Sequence, residues 1–485
     1  MISFQKKMTV TIYDAFGNKI GTKSKKECHQ EYARAAKARE PQPFKHEHIG
    51  ALLIDLDGNL LLQHHDPEAS ANAGMYDKTL GSHVLSNQRG SAALLGIANR
   101  EFEIPIAEVT QRELLNIVLK HPDLVAQQAF AYSVDFNPDF VSERALADGT
   151  TLQERCMQEF LIGVYDGRGK SRSEGTTIGP FGLEKIKRIA ERDPRSITGD
   201  LRSILRDYCV DVQRVLETTK HLKALEGIEK PAELVDELHR DDLFHQLIER
   251  KKAHQVIKEA YFQGKPQQVK HEHIGGMLVG KNGEVYVQIK AKEKAENPGA
   301  YDKIVGGHIP SGDSPVVAAY HEFLEEMEIP VILYDSLQWE NVLRTFPESP
   351  SYQAICRRPE LDRDFVSVRF RPKGDSFLEI CNQYWVFGYY HERFRFGDQE
   401  AAGIFQFPNR EELAREMLTD PLHQYMVSQG WHSNGDREGK PNLVFPDPQK
   451  VLEAMKHCEA KFTPDFRYMV DKYWTEMISV EKRFS

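Results

Sequence analysis

The stretch Gly306–Ile329, GGHIPSGDSPVVAAYHEFLEEMEI, decides how this chain is read. A glycine pair leads through a polar loop into a helical pattern carrying Glu322, Glu325 and Glu326. Positions i, i+3 and i+4 of a helix fall within an arc of roughly 100°, so the three carboxylates project to one side. Val316, Val317, Phe323 and Met327 are left for the core. Carboxylates this close repel and raise one another's pKa, and a hard divalent cation removes that penalty. Mg²⁺ or Mn²⁺ takes oxygen ligands and keeps waters that a bound phosphate can replace. A glutamate-rich helix face is most often just solvated. What sets this one apart is its fixed spacing from Gly307, Asp313 and Ile329.

The same passage is written twice. HEHIG stands at His46 and again at His271, an offset of 225 that also joins the YDK at Tyr76 to that at Tyr301 and the EIP at Glu103 to that at Glu328. Over residues 46–105 against 271–330, more than a third of the positions are identical without a gap. Long-period self-similarity means repeated structural units. The spacing predicts one domain over 1–210, a helical connector over 211–262 and a second domain over 263–485. The closing helices, TGDLRSILRDY from Thr198 and TPDFRYMVDKY from Thr463, lie 265 apart, so the second copy carries an insertion, placed in the polar loop HSNGDREGKPN. Within each copy, strand-like hairpins such as HIGGMLVGKNGEVYVQIK alternate with helical patterns without regular βαβ spacing. The fold class is mixed-sheet α/β (α+β).

Gly307, Asp313, His321-Glu322-Phe323, Glu325-Glu326 and Ile329 resemble the Nudix box, G-x5-E-x7-R-E-U-x-E-E-x-G-U. YDKIVGGHI before the box and the amino-terminal YDAFGNKIGTKSKKECH resemble the branch that includes isopentenyl-diphosphate isomerase. The resemblance implies two tandem α/β/α sandwiches and metal-dependent hydrolysis of a diphosphate linkage in a nucleoside diphosphate-X type substrate. It implies Mg²⁺ or Mn²⁺ on Glu322, Glu325, Glu326 and Gly307, with the three glutamates catalytic. His308, Lys303 and Arg369 become substrate contacts, and Glu379 a candidate base whose bland reading is a strand-end surface charge. Arg344, Arg357 and Arg358 are further arginines for a phosphate. Asp313, His321 and Glu328 replace the family's Glu, Arg and Gly; an Asp313–His321 pair and a helix stop at Pro330 are the expected substitutes.

In the first copy Ile97, Arg100 and Glu101 stand where Glu322, Glu325 and Glu326 do, with Ser82 for Gly307 and Gln88 for Asp313. An apolar residue and a cation cannot replace two oxygen ligands, so this half reads as a degenerate domain that serves packing or substrate binding. His46, His48 and His83 recur as His271, His273 and His308. Histidines at comparable places bind metal in the isomerase branch, but their survival in the degenerate copy favours a structural role. Two rival readings stand beside hydrolysis. One is a non-catalytic nucleotide sensor. The other is an isoprenoid diphosphate isomerase, which needs a cysteine where this chain has Gly306.

The 485 residues carry a net charge of −10, which argues against a sequence-independent grip on nucleic acid and leaves capped RNA open. The amino-terminal segment has no signal-peptide pattern, and no apolar run approaches a membrane span. The six cysteines form no C-x-x-C pair, and Cys156 and Cys381 read as buried thiols. A cytoplasmic protein is expected, with its two halves packed as a pseudo-dimer around a small-molecule diphosphate chemistry.

Overall fold

The computed structural model describes residues 9–484 apart from 39, 70, 87–89, 102, 147–148, 168–175, 225–233, 240–243, 336–338, 340–353, 391–400, 432–440 and 442. The chain divides into two compact units, Met1–Ile228 and Glu229–Ser485, each a mixed α/β body. The expected insertion loop and Gln88 and Arg344 lie outside the described residues.

In the first unit the central strand Lys45–Ile54 runs parallel to Thr151–Val164 and antiparallel to Leu80–His83. In the second, Glu272–Val279 runs parallel to Phe377–Tyr389 and antiparallel to Val305–His308. The registers keep the offset of 225: His48 pairs with His83 and Gln158, as His273 does with His308 and Gln383. The hairpin read around KNGE is present, with Leu278 opposite Tyr286. Such mixed sheets form because a parallel pair needs a long crossover while the antiparallel neighbour needs only a loop.

The helix Pro315–Met327 starts where Ser314 caps it, its hydroxyl accepting from Val317 N at 3.3 Å, with Pro315 in the first turn. Val317, Phe323 and Met327 are fully buried on its core face. Burying a phenylalanine or methionine in this way stabilises by about 1.5–3 kcal/mol. The helix ends differently from the expectation. Glu328 itself adopts the left-handed conformation, φ 53° and ψ 29°, and its N–H closes onto Leu324 O at 3.1 Å before Pro330 is reached. Glu103, at the same place in the first unit, does likewise at φ 50°.

Among the described residues of the stretch expected to be a helical connector, helix is found at its ends, Cys209–Ala224 and Arg250–Phe262. Between them Leu234–His239 and Phe244–Glu249 pair antiparallel, and Leu238 pairs onward with Lys270. Short runs mixing apolar and charged residues do not distinguish helix from strand by periodicity. The offset explains the strands: they repeat Thr9–Tyr13 and Lys19–Ser24, and the helix Arg250–Phe262 repeats Lys25–Ala38. Tyr13 pairs with Lys45 in the first unit as Leu238 does with Lys270 in the second, on the same offset of 225.

A candidate active site in the second unit

Two sets of side chains leave opposite faces of the strand Val305–His308, because successive residues of a strand alternate. Gly307 faces the helix Pro315–Met327. A Cβ there would collide with the Glu322 carboxylate, so glycine is required where that carboxylate sits. Glu326 is buried and its Oε2 accepts from Gly306 N at 3.2 Å. Glu325 points outward, 59% exposed, with His321 Nδ1 at 3.3 Å, the i to i+4 neighbour. The three glutamates therefore divide: Glu322 and Glu326 lie against the glycine loop, while Glu325 lies towards solvent.

Gly306 faces the other way. Lys303 crosses over it and over Gly275 on the neighbouring strand, where a Cβ at either glycine would overlap the lysine chain. His308 shares this face, and His273 lies opposite it across the pair. The imidazoles of His254, His271, His273 and His308 gather here, with ring centroids 4.1–5.1 Å apart in the pairs that touch. His254 comes from the helix Arg250–Phe262 and reaches His308 with Nε2 atoms 2.7 Å apart. Glu379 completes the group from the strand Phe377–Tyr389. Its Oε1 pairs with His271, and Arg369 Nε donates to its Oε2 at 2.6 Å.

Glu379 is fully buried, which overturns the surface-charge reading. Burial alone would raise its pKa, but Arg369, His271 and His273 outweigh that and hold the carboxyl well below its usual range. Burial presses His273 and His308 well below the ordinary histidine value, and His254 down to about 4. Burial thus favours the neutral form of His254, His273 and His308 beside an ionised Glu379, which suits a metal-ligand set. Nδ1 of His271, Nε2 of His273 and Nδ1 of His308 are buried without a hydrogen-bond partner. Buried ring nitrogens cost free energy when left so, and a cation among them would remove that cost. His254, His271 and His308 form one trio whose donor atoms lie within 4.8 Å of one another, and His271, His273 and Glu379 form a second. The residues fit a divalent metal.

Beside the cluster opens a cavity of about 870 Å³, within the range of small-molecule sites. Eight lysines and arginines line it against three carboxylates, with Gly306, Gly307, His273 and His308 in its wall. Lys303, Arg369 and Arg371 are among the cations, and Asp465 is one of the lining carboxylates, its pKa raised by burial. Of the substrate contacts expected from sequence, Lys303, His308 and Arg369 all line this one cavity, as does Gly307, but the side chains of Glu322, Glu325 and Glu326 do not. Arg357 is committed elsewhere, to Glu360 and to Glu476, and Arg358 is exposed. The sequence reading missed His254 and the place of His271 in the cluster; extending the 225 offset backward finds His254 as the partner of His29.

No family model matches the chain, and no curated protein matches it at a significant level. Solved structures that overlap it include DR0079 from Deinococcus radiodurans, at 14% identity over 41% of this chain and 100% of that one, with a TM-score of 0.25. The MutT protein from Methanosarcina mazei Go1 overlaps at 13% identity over 30% of this chain and 80% of that one, TM-score 0.20. A NUDIX family hydrolase from Clostridium perfringens overlaps at 15% identity over 39% of this chain and 97% of that one, TM-score 0.19. Likeness at that level is too weak to assign a fold or an activity. Among the described residues, no helix is long and apolar enough to cross a membrane.

Proposed function

We propose that the second unit is a Nudix-type enzyme that cleaves a diphosphate linkage with the help of a divalent metal. The observation that carries this reading is the cation-lined cavity of about 870 Å³, whose wall holds the glycine pair of the box-like stretch and two histidines of the buried cluster. A polyanion is the ligand such a lining favours, since clefts of one charge sign concentrate the opposite one. Lys303 and Arg369 supply cations at the wall, and a guanidinium suits two phosphate oxygens at once. Arg369 is shared with Glu379 and Glu296, so it is fixed in place before any ligand arrives.

His271, His273, His308 and Glu379 would hold one ion, and Glu322 and Glu326 beside the glycine loop are the carboxylates for Mg²⁺ or Mn²⁺. Bound there, such an ion neutralises phosphate charge and makes a coordinated water more acidic. The chain's own part is to bind the diphosphate between cations, to keep water out of the buried wall and to accept a proton. Glu379 is a poor base, because its pKa is held well below the usual range. Asp465, which lines the cavity with its pKa raised by burial and accepts from Ser367 Oγ at 2.7 Å, is the better proton carrier of the two.

The test is a panel of nucleoside diphosphate sugars, dinucleoside polyphosphates, capped RNA and isopentenyl diphosphate, incubated with the full chain and Mg²⁺ or Mn²⁺. Released phosphate species that vanish with Glu322→Gln and Glu326→Gln support the reading. A rearranged allylic product, with no phosphate released, would replace hydrolysis by isomerisation. Binding without turnover on any compound would make the unit a sensor. We further propose that the first unit is a degenerate copy without hydrolytic activity, because Ile97, in the place of Glu322, is a buried apolar side chain.

A further inference from the structure

We propose that the second unit carries a separate site for an aliphatic polyamine, on the face of its sheet turned away from the cation-lined cavity. This does not rest on the activity assigned to that unit. A second cavity, of about 680 Å³, is walled by Tyr301, Phe405 and Phe407 with Glu412, Glu416 and Glu459. Ile289 lines it while Lys290 lines the cation-rich one, and neighbours along a strand face opposite ways, so the sheet separates the two.

The strand Ala401–Phe407 pairs antiparallel with Val285–Lys290, placing Phe405 and Phe407 opposite Val287 and Val285. Two apart on one strand, they share a face. Tyr301, opposite Ile289, closes on both: its ring centroid lies 5.5 Å from that of Phe405 and 5.7 Å from that of Phe407. Phe405 remains 40% exposed, so the aromatic platform is open at one side. The electron-rich faces of such rings attract ammonium ions, more strongly as water is excluded.

The first unit shows what this platform takes. There Phe181 stands opposite Leu60, as Phe407 stands opposite Val285, on the same offset of 225. Tyr76, the counterpart of Tyr301, lies 4.8 Å from the Phe181 ring. The chain supplies its own cation: Lys185, four residues after Phe181, holds Nζ 5.1 Å from the ring centroid. In the second unit the residue four after Phe407 is Glu411, and Phe405 stands where the first unit has Gly179. The platform has gained a ring, lost its internal lysine and taken on a rim of carboxylates. Lys461 approaches Glu416 only at 3.7 Å, and Glu412 pairs with the exposed Arg415, contacts worth little at a surface. Three carboxylates against Lys461 leave a net charge of −2 around the cavity, which a ligand with at least two ammonium groups neutralises. Ile289, Pro298, Pro421 and Ala460 line the rest, an apolar surface for the methylenes between those groups.

Spermidine is titrated calorimetrically into the full chain, with butylamine as the single-charge control. The expected result is one spermidine site, bound more tightly than butylamine and weakened by about 2–30-fold in Phe405→Leu. Glu412→Gln with Glu459→Gln should weaken it as well. Glu411→Lys, which restores the arrangement of Lys185, should compete with the ligand and weaken it, whereas Glu411→Gln should not. None of these four side chains is buried, so the variants keep the fold. No spermidine binding, or binding untouched by Phe405→Leu and by Glu411→Lys, would overturn the proposal. A lysine-rich peptide that binds where spermidine does not would assign the platform to a protein partner and overturn it likewise.

Discussion

The two units carry the same buried cluster on different terms. His29, His46, His48, His83, Arg144 and Glu154 recur at an offset of 225 as His254, His271, His273, His308, Arg369 and Glu379. In the first unit Glu154 has its pKa raised, burial outweighing a partly exposed Arg144. In the second, Arg369 is bound tightly enough to reverse the effect of burial on Glu379. The helix beside each cluster differs more sharply, Ile97 in one and Glu322 in the other. The histidine set is thus independent of the acidic helix, and its persistence needs a reason other than hydrolysis.

The largest effect should come from pH. In metal-stripped protein His29 and His254 are pressed by burial to about 4 and His46 to about 3, against about 6.5 in an unfolded chain. A folded-state pKa below the unfolded one gives stability that is present above pH 6.5 and lost as pH falls, because the unfolded chain binds protons the native state refuses. Each such histidine contributes up to about 1.4 kcal/mol per pH unit. The carboxylates separate the units further. Glu379, depressed, adds to the loss at low pH, while the cost of burying Glu154 charged is relieved as it protonates. All four tryptophans, Trp339, Trp385, Trp431 and Trp474, belong to the second unit, so their fluorescence follows that unit alone while circular dichroism follows both. Tryptophan fluorescence should show the second unit unfolding first on acidification; simultaneous loss of both signals breaks the comparison.

Next comes the arginine. Arg369→Met leaves a fully buried Glu379 without its main partner, which costs about 3–5 kcal/mol. Arg144→Met should cost less, because burial already raises the pKa of Glu154 and eases its uptake of a proton. Urea unfolding of the two variants measures the difference, and equal costs would mean that the two carboxylates are held alike. On activity, Glu322→Gln with Glu326→Gln should lower metal-dependent turnover by more than about 100-fold, the upper range for disturbing a metal site's surroundings. The matching change in the first unit, Ile97→Gln, should leave turnover as it is. A kinetic comparison with Mg²⁺ checks both.

Much of this was legible in the sequence, and the limits have physical causes. The HEHIG repeat exposes the pairing of His48 with His83 and His273 with His308, because identical residues in a gapless stretch keep register. Ser314 and Pro315 announce the helix start by cap chemistry alone. The strands Leu234–His239 and Phe244–Glu249 pass for helix in the sequence because their own residues carry no clean period of two. His254 lies on a helix outside any motif, and only the repeat offset connects it to His29. Which face Glu325 takes, and that Glu379 is buried rather than surface-bound, depends on sheet packing that local spacing does not encode.

The smallest effect tests the helix ends. Glu328 and Glu103 both sit at positive φ, where a side chain crowds its own carbonyl at a cost of roughly 1–2 kcal/mol. Glycine relieves that strain but gives the unfolded chain more freedom, so Glu328→Gly should stabilise the second unit by only about 0.5–1 kcal/mol. Glu103→Gly should do the same for the first, since its φ of 50° is nearly that of Glu328. Urea midpoints resolve changes of this size when the slope is unchanged. A gain at 103 with a loss at 328 would mean that the Glu328 carboxylate, beside the acidic helix, has work that its backbone strain conceals. Turnover of Glu328→Gly, measured in the same preparation, would then fall along with its stability.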